Sequence, residues 1–194
     1  MTPTRPLCLA SASPRRRELL ERFGLRFAVH PARLDERLLP GEAPEAHVTR
    51  LARAKAEAAR RDFPRAVLIG GDTVVVLDGE VLGKPRDRGE GEAMLRRLSG
   101  RAHRVLSAYH LLEAPSGQSL ERIVETRVTF RELPAAWIAW YAGLPEMLDK
   151  AGAYAIQGVG GAMVTRIEGS YTNVVGFPVE FVLWDLIDQG WVRL

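Results

Sequence analysis

The sequence predicts an α/β protein built around a mixed, strongly twisted sheet. Three observations carry this expectation. Short apolar strand patterns alternate with helical patterns through the first half of the chain, two long alternating runs flank a tight turn at APSG, and helical periodicity returns near the C-terminus. No repeat, linker or low-complexity segment interrupts the 194 residues, a length that suits one well-buried domain spanning residues 1–194.

Residues 7–10, LCLA, read as a strand. A helix follows through residue 23, with Ser13 at the N-cap, Pro14 at the first helical position and Leu19, Leu20 and Phe23 as its apolar stripe. Residues 25–29 read as a second strand, and PARLDERLLPGEAP as a polar, proline-rich loop. Residues 44–61 are helical, with Val48, Leu51, Ala52, Lys55 and Ala59 on related turns. AVLIGGDTVVVLDGEVLGKP reads as a buried strand, a break at Gly70-Gly71 carrying Asp72, a second strand, a hairpin turn at Asp78-Gly79 and a short return strand. Residues 88–98 form a helix ended by Ser99-Gly100, and residues 101–113 and 118–130 pair as an antiparallel hairpin. A helix at 134–143, a long loop EMLDKAGAYAIQGVGG, a strand at 162–167 and a helix at 178–189 complete the chain. Strand–helix alternation beside long hairpin arms is what makes the sheet mixed.

Composition excludes several function classes. No apolar run approaches the ~18 residues of a membrane span. Arg5 and the arginines that follow leave no apolar core for a signal peptide, so a cytoplasmic protein is expected. The single cysteine, Cys8, allows no intramolecular disulfide and no cysteine metal cluster. A net charge of +3 suits an anionic ligand, but no basic block with interleaved aromatics points to nucleic acid. Of 27 basic residues only Lys55, Lys84 and Lys150 are lysines. A chain that writes arginine almost everywhere keeps lysine where a compact point charge is wanted.

The familiar catalytic templates fail. GEVLGKP has three residues between its glycines and proline after the lysine, where a phosphate loop needs four and then Ser or Thr. Neither G-x-G-x-x-G after the first strand nor G-x-S-x-G is present, and His30, His47, His103 and His110 show no zinc spacing.

Four phosphate-friendly features remain. Ser11-Ala12-Ser13-Pro14-Arg15-Arg16 places hydroxyls, helix N–H groups and arginines after a strand; helix dipoles disfavour cations there unless an anion binds. The alternative is an N-cap with solvated arginines. Asp72, set between AVLI and VVVL, is expensive to bury without a job, so it reads as a general base or magnesium ligand, or else as a carboxylate capping a turn. Lys84, returned by the hairpin, and Lys55, on a small-residue helix face, can neutralise phosphate oxygens; Lys55 alone also reads as a snorkelling side chain. Gln157 lies among glycines, where its amide can read a base edge or stabilise a turn. Together these suggest metal-assisted phosphoryl transfer or hydrolysis with water as nucleophile.

LASASPRRRELL, GGDTVVVLDGEVLGKPRD, DKAGAYAIQGVGG and GSYTNVVGFP resemble, in order and nearly end to end, the Maf family of nucleoside triphosphate pyrophosphatases. The resemblance implies a fold shared with inosine triphosphate pyrophosphatases: a long twisted mixed sheet flanked by helices, with two lobes and a central cleft for the nucleotide. It also implies a homodimer, no nucleic-acid or membrane partner, and hydrolysis of a nucleoside triphosphate between the α and β phosphates with Mg²⁺ or Mn²⁺. By position, Asp72 matches the proton acceptor, Arg15, Thr73 and Gln157 match specificity positions, and Ser13, Arg16, Lys55 and Lys84 match the phosphate pocket. Asp35 or Glu36 matches an acidic residue near the site, and Asp72 with Glu36 would help hold the metal. AYAIQG is similar to the branch acting on dTTP and UTP. The alternatives are the same chemistry on 7-methyl-GTP or another modified nucleotide, and a septum-formation interaction protein regulated by nucleotide.

Overall fold

A computed structural model describes residues 1–194. In chain order its elements are β1 (Thr2–Pro3), β2 (Leu7–Leu9), α1 (Pro14–Arg22), β3 (Ala28–Val29), α2 (Pro44–Ala59), β4 (Val67–Leu77), β5 (Glu80–Leu82) and α3 (Arg88–Leu98). The second half adds β6 (Ala102–Glu113), β7 (Ser119–Phe130), α4 (Ala135–Tyr141), β8 (Val164–Glu168), α5 (Tyr171–Val175), α6 (Val179–Asp188) and β9 (Val192–Arg193). Seven strands form one sheet in the order β3-β2-β4-β6-β7-β8, with β5 paired to β4; β1 and β9 form a separate two-stranded ribbon.

The sheet is mixed, as the pattern predicts. β2 runs parallel to β3 and β4, whereas β4 with β5 and β7 with β8 are antiparallel. β6 and β7 are antiparallel too: the Glu113 N–H donates to the Gln118 carbonyl, and the Phe130 N–H to that of Arg101. The turn before β5 has Asp78 and Gly79 at φ 54° and 82°, the left-handed pair a two-residue hairpin needs. No helix is long and apolar enough to cross a membrane.

The chain divides into two units, with the division falling inside β4, β6 and β7. The first unit comprises Met1–Asp72, Ser107–Val124 and Gly176–Leu194. Part of its core is a layer of small residues, with Cys8, Ala10, Ala56, Ala59, Ala66 and Ala114 around Leu68 and Leu112. The second comprises Thr73–Leu106 and Glu125–Val175, and its core gathers larger side chains, among them Leu95, Leu98, Phe130, Tyr141 and Tyr154. The only asparagine, Asn173, is buried there as a brace: its amide donates to the Val105 carbonyl at 3.0 Å and to Thr126 Oγ1 at 2.9 Å.

Several expectations need correction. β4 does not break at Gly70-Gly71 but runs through both glycines as one strand buried on its two faces. The glycines serve close packing. A Cβ on Gly70 would stand 2.1 Å from the Ala52 carbonyl of α2, and one on Gly71 would stand 2.7 Å from the Phe177 ring. The strand expected at 25–29 is confined to Ala28–Val29, and the helix expected to reach residue 61 ends at Ala59. The loop EMLDKAGAYAIQGVGG carries tight 3-10 turns at Pro145–Met147 and Ala151–Ala153, and a third turn at Val159–Met163 runs on from its end. β1, β9 and α5 are too short to show periodicity.

This packing makes two measurable differences. Gly70→Ala drives a methyl group into helix backbone, so urea unfolding should show a loss of about 2–3 kcal/mol. Gly83→Ala, where no atom lies within 4 Å of the added Cβ, should leave stability nearly unchanged. The second concerns His103, which is buried between the Phe130 and Tyr154 rings with Nε2 2.9 Å from the Tyr154 hydroxyl. Burial pushes its pKa from 6.5 down to about 4. Between those values the unfolded chain holds a proton that the folded chain does not. Stability is therefore full above pH 6.5 and falls by up to about 3 kcal/mol as pH drops to 4. Thermal melts of His103→Gln should show a flatter profile across that window.

Candidate functional site

A knot of charged side chains in the first unit sits where α1, α2 and β4 come together. Side chains alternate across β4, so Asp72 points to the same face as Gly70. Gly70 lets α2 approach at Ala52 and Ala56, which brings Lys55 over Asp72. The Lys55 ammonium donates to Asp72 Oδ1 at 2.8 Å and pairs with Glu36 Oε1 at 2.6 Å. Lys55 is 5% and Asp72 7% exposed, so each offsets the desolvation cost of the other.

The three arginines that open α1 have three different fates. Arg17 is exposed and bonds Glu21 one turn on, at 2.7 Å. Arg16 is buried: its Nε donates to the Gly176 carbonyl at 3.1 Å and its Nη1 to Ser11 Oγ at 3.2 Å. Burial lowers the Arg16 pKa from its ordinary value, opposed by the charges of Asp72 and Glu36 and reinforced by that of Arg15. Arg16, Lys55, Asp72 and Glu36 thus share one electrostatic neighbourhood. Arg15 is half-buried, and its Nε would lie 3.8 Å from a Cβ built on Gly176.

Ser13 occupies the N-cap, yet its hydroxyl makes no capping bond; its N–H donates to Ser11 Oγ at 3.2 Å. The hydroxyl that orients the buried arginine is therefore that of Ser11. Of the two acidic residues expected near the site, Glu36 reaches Lys55, whereas Asp35 turns back to Arg37 in a forked pair. Glu42, which sequence reasoning missed, holds this segment onto α2. Its carboxylate accepts from Arg50 Nε at 2.6 Å and from the Leu39 N–H at 3.0 Å, and lies 3.0 Å from His47 Nδ1. The Arg50 pairing holds the Glu42 carboxyl well below the usual carboxylate range. In the sequence it stands between Gly41 and Ala43, eight residues from the arginine it pairs with, and nothing there marks it.

The remaining expected residues belong to the second unit. Thr73 follows Asp72 on β4 and so points to the opposite face of the sheet. Lys84 is exposed just beyond β5; the ladder pairing Val75 with Leu82, continued two residues, sets it level with Thr73. Gln157 is exposed in a turn closed by the Gly158 N–H on the Ala155 carbonyl at 3.3 Å. Lys150, the third lysine, pairs with its neighbour Asp149.

This arrangement can hold an anion and move a proton, and it has no activated side-chain nucleophile. Cys8 is buried in β2, and burial pushes its thiol up to about 11. No group of three or more His, Cys, Asp or Glu side chains is placed to cage a metal. Asp72 and Glu36 do form a two-carboxylate set, which suits a cation bound partly by substrate oxygens.

Comparison with known proteins agrees with this chemistry. Residues 6–188 match the Maf-like protein family. A protein of Syntrophus aciditrophicus named dTTP/UTP pyrophosphatase is 46% identical over 187 residues, covering 96% of this chain and 91% of that protein. Proteins of the same name from Anaeromyxobacter dehalogenans strain 2CP-1 and Myxococcus xanthus are each 53% identical, covering 89% of this chain and 88% and 87% of theirs.

The Glu42 clamp predicts a local effect. In Glu42→Ala, amide hydrogen exchange should accelerate at Leu39 and through residues 33–42 while β2 keeps its protection. Unchanged exchange at Leu39 would show that Glu42 does not hold the segment.

Proposed function

The chain belongs to the Maf family, and we propose from that premise that it hydrolyses dTTP and UTP between the α and β phosphates. The products are the nucleoside monophosphate and pyrophosphate. One observation carries the reading: a buried carboxylate, Asp72, bonded to a buried ammonium, Lys55, beside the buried guanidinium of Arg16. The whole chain acts as one catalytic domain of the inosine triphosphate pyrophosphatase type.

In this reading Asp72 takes a proton from a water molecule as its oxygen bonds to the α phosphorus. The bond from that phosphorus to the bridging oxygen breaks, and pyrophosphate leaves with the electron pair. Arg16 and Lys55 stabilise the charge that builds on the phosphate oxygens. Both are already balanced by Asp72 and Glu36, so a triphosphate calls for further positive charge. Lys84 and Arg15 supply part of it, and the neutral Ser13 hydroxyl at the head of the helix donates to a phosphate oxygen. Mg²⁺ or Mn²⁺ would be held by Asp72, Glu36 and substrate oxygens, and when bound would offset charge on the triphosphate. Gln157 reads the pyrimidine through the paired donor and acceptor of its amide, and Thr73 contributes its hydroxyl. A homodimer in the cytoplasm completes the reading.

Pyrophosphate release should be measured with dTTP, UTP, CTP, GTP, 7-methyl-GTP and ITP, with Mg²⁺ or Mn²⁺ present. The expected result is preference for dTTP and UTP with a monophosphate product. Asp72→Asn should keep nucleotide binding and lose about a hundred-fold or more in kcat. Near-normal turnover in that variant would remove Asp72 from the role of base, and preference for a purine would overturn the substrate assignment.

A further inference from the structure

The turn bearing Gln157 is gripped at both ends by side chains outside the motifs that point to the site. At its start, the Ala155 N–H donates to the Tyr141 hydroxyl at 3.1 Å. At its end, the Gly160 N–H donates to Glu146 Oε1 at 3.3 Å. The Glu146 carboxylate also acts on the Tyr141 hydroxyl electrostatically, raising its pKa alongside the larger effect of burial, so the two grips are neighbours. Tyr141 is fully buried at the end of α4. Glu146 sits in the 3-10 turn Pro145–Met147, anchored by Met147, whose sulfur would lie 2.2 Å from a Cβ built on Gly91 of α3.

The glycines of the loop match these two side chains. A Cβ on Gly158 would stand 2.0 Å from Glu146 Oε2, and one on Gly160 would stand 2.6 Å from the Tyr141 hydroxyl. Gly161 closes on the Ile156 carbonyl in the same way, at 2.6 Å. The spacing of glycine in AIQGVGG is therefore the shape of the clamp in negative. Packing alone would need only the Tyr141 ring. The hydroxyl and the carboxylate instead satisfy the two N–H groups on either side of Gln157, which itself stays exposed.

We propose that Tyr141 and Glu146 are positioning residues for base recognition, holding the 155–160 turn so that the Gln157 amide meets the pyrimidine at a fixed distance and angle. This rests on the reading of the chain as a dTTP and UTP pyrophosphatase. A planar amide discriminates between bases only if its donor and acceptor are aimed, and an untethered turn of glycines cannot aim them. The contacts of Tyr141 and Glu146 are to the turn and not to Asp72, Lys55 or Arg16, so the clamp acts on substrate selection and leaves the chemical step alone.

The test compares kcat and KM for dTTP and CTP in the wild type, Tyr141→Phe, Glu146→Ala, Glu146→Gln and Gln157→Ala. Tyr141→Phe and Glu146→Ala should raise KM for dTTP roughly ten-fold, leave kcat within about two-fold, and narrow the preference for dTTP over CTP. Glu146→Gln keeps an acceptor for the Gly160 N–H and should recover most of that preference. Adding Glu146→Ala to Gln157→Ala should change selectivity no further, because the clamp then has nothing to aim. Should Tyr141→Phe fail to fold, the half-buried Glu146 carries the test alone. Unchanged selectivity in Glu146→Ala, or a fall in kcat without a rise in KM, overturns the proposal while a wild type active on dTTP leaves the hydrolysis reading intact. A wild type inactive on every nucleotide overturns both.

Discussion

The close approach of α2 to β4 at Gly70 is the constraint from which the charged site follows. A helix carrying alanine at positions 52 and 56 can lie against a strand only where the strand has no side chain, and Gly70 is that place. Once the helix is seated there, Lys55 is carried over Asp72, two residues further along the same face. Any larger residue at 70 would lift the helix, and the ammonium would leave the carboxylate. The small-residue layer around Cys8, Ala10, Ala56 and Ala59 is the continuation of the same contact. The backbone geometry of one residue thus places two charges that are costly to bury apart.

Those charges are also balanced against a third and a fourth. Glu36 comes from a loop that depends on Glu42 and Arg50, and Arg16 from a helix start that depends on Ser11 and Gly176. Glu36 and Arg16 are thus held in place by residues that are not themselves candidates for chemistry, whereas Lys55 and Asp72 hold each other. Such support keeps a constellation oriented while substrate is absent, and it reduces the reorganisation needed when substrate arrives. The helix dipole, unfavourable for Arg16 on its own, is offset here by two carboxylates from other parts of the chain.

Much of this is legible in the sequence, and the part that is not has identifiable reasons. The helices at Pro14–Arg22, Pro44–Ala59 and Arg88–Leu98 have proline or acidic starts and apolar stripes, so their periodicity is plain. Gly70-Gly71 misleads because glycine in a strand pattern signals either a bend or a close approach, and only the partner element tells which. Ser11 and Ser13 stand two residues apart with the same hydroxyl; the direction of Arg16 settles which one it uses. Tyr141 and Glu146 act through contacts to backbone N–H groups, and Glu42 acts mainly through Arg50; neither kind of contact leaves a periodic pattern in side-chain type. The resemblance to the Maf family names the residues of the site but not the residues that hold them.

The two buried cations show why a chain so rich in arginine keeps lysine at position 55. Arg16 uses its planar fork, with Nε and Nη1 meeting acceptors on two separated segments in fixed directions. Lys55 meets a different arrangement, in which its one nitrogen serves two carboxylates from separate segments, Asp72 from β4 and Glu36 from the loop. A compact ammonium with rotatable donors satisfies both, and it does so beneath a helix packed too closely for a guanidinium. An arginine there would have to satisfy five donors in the space that Gly70 has already given to Ala52 and Ala56. The scarcity of lysine and the seating of α2 are therefore linked, because the tighter the helix lies on the strand, the smaller the cation that can serve the carboxylate below it.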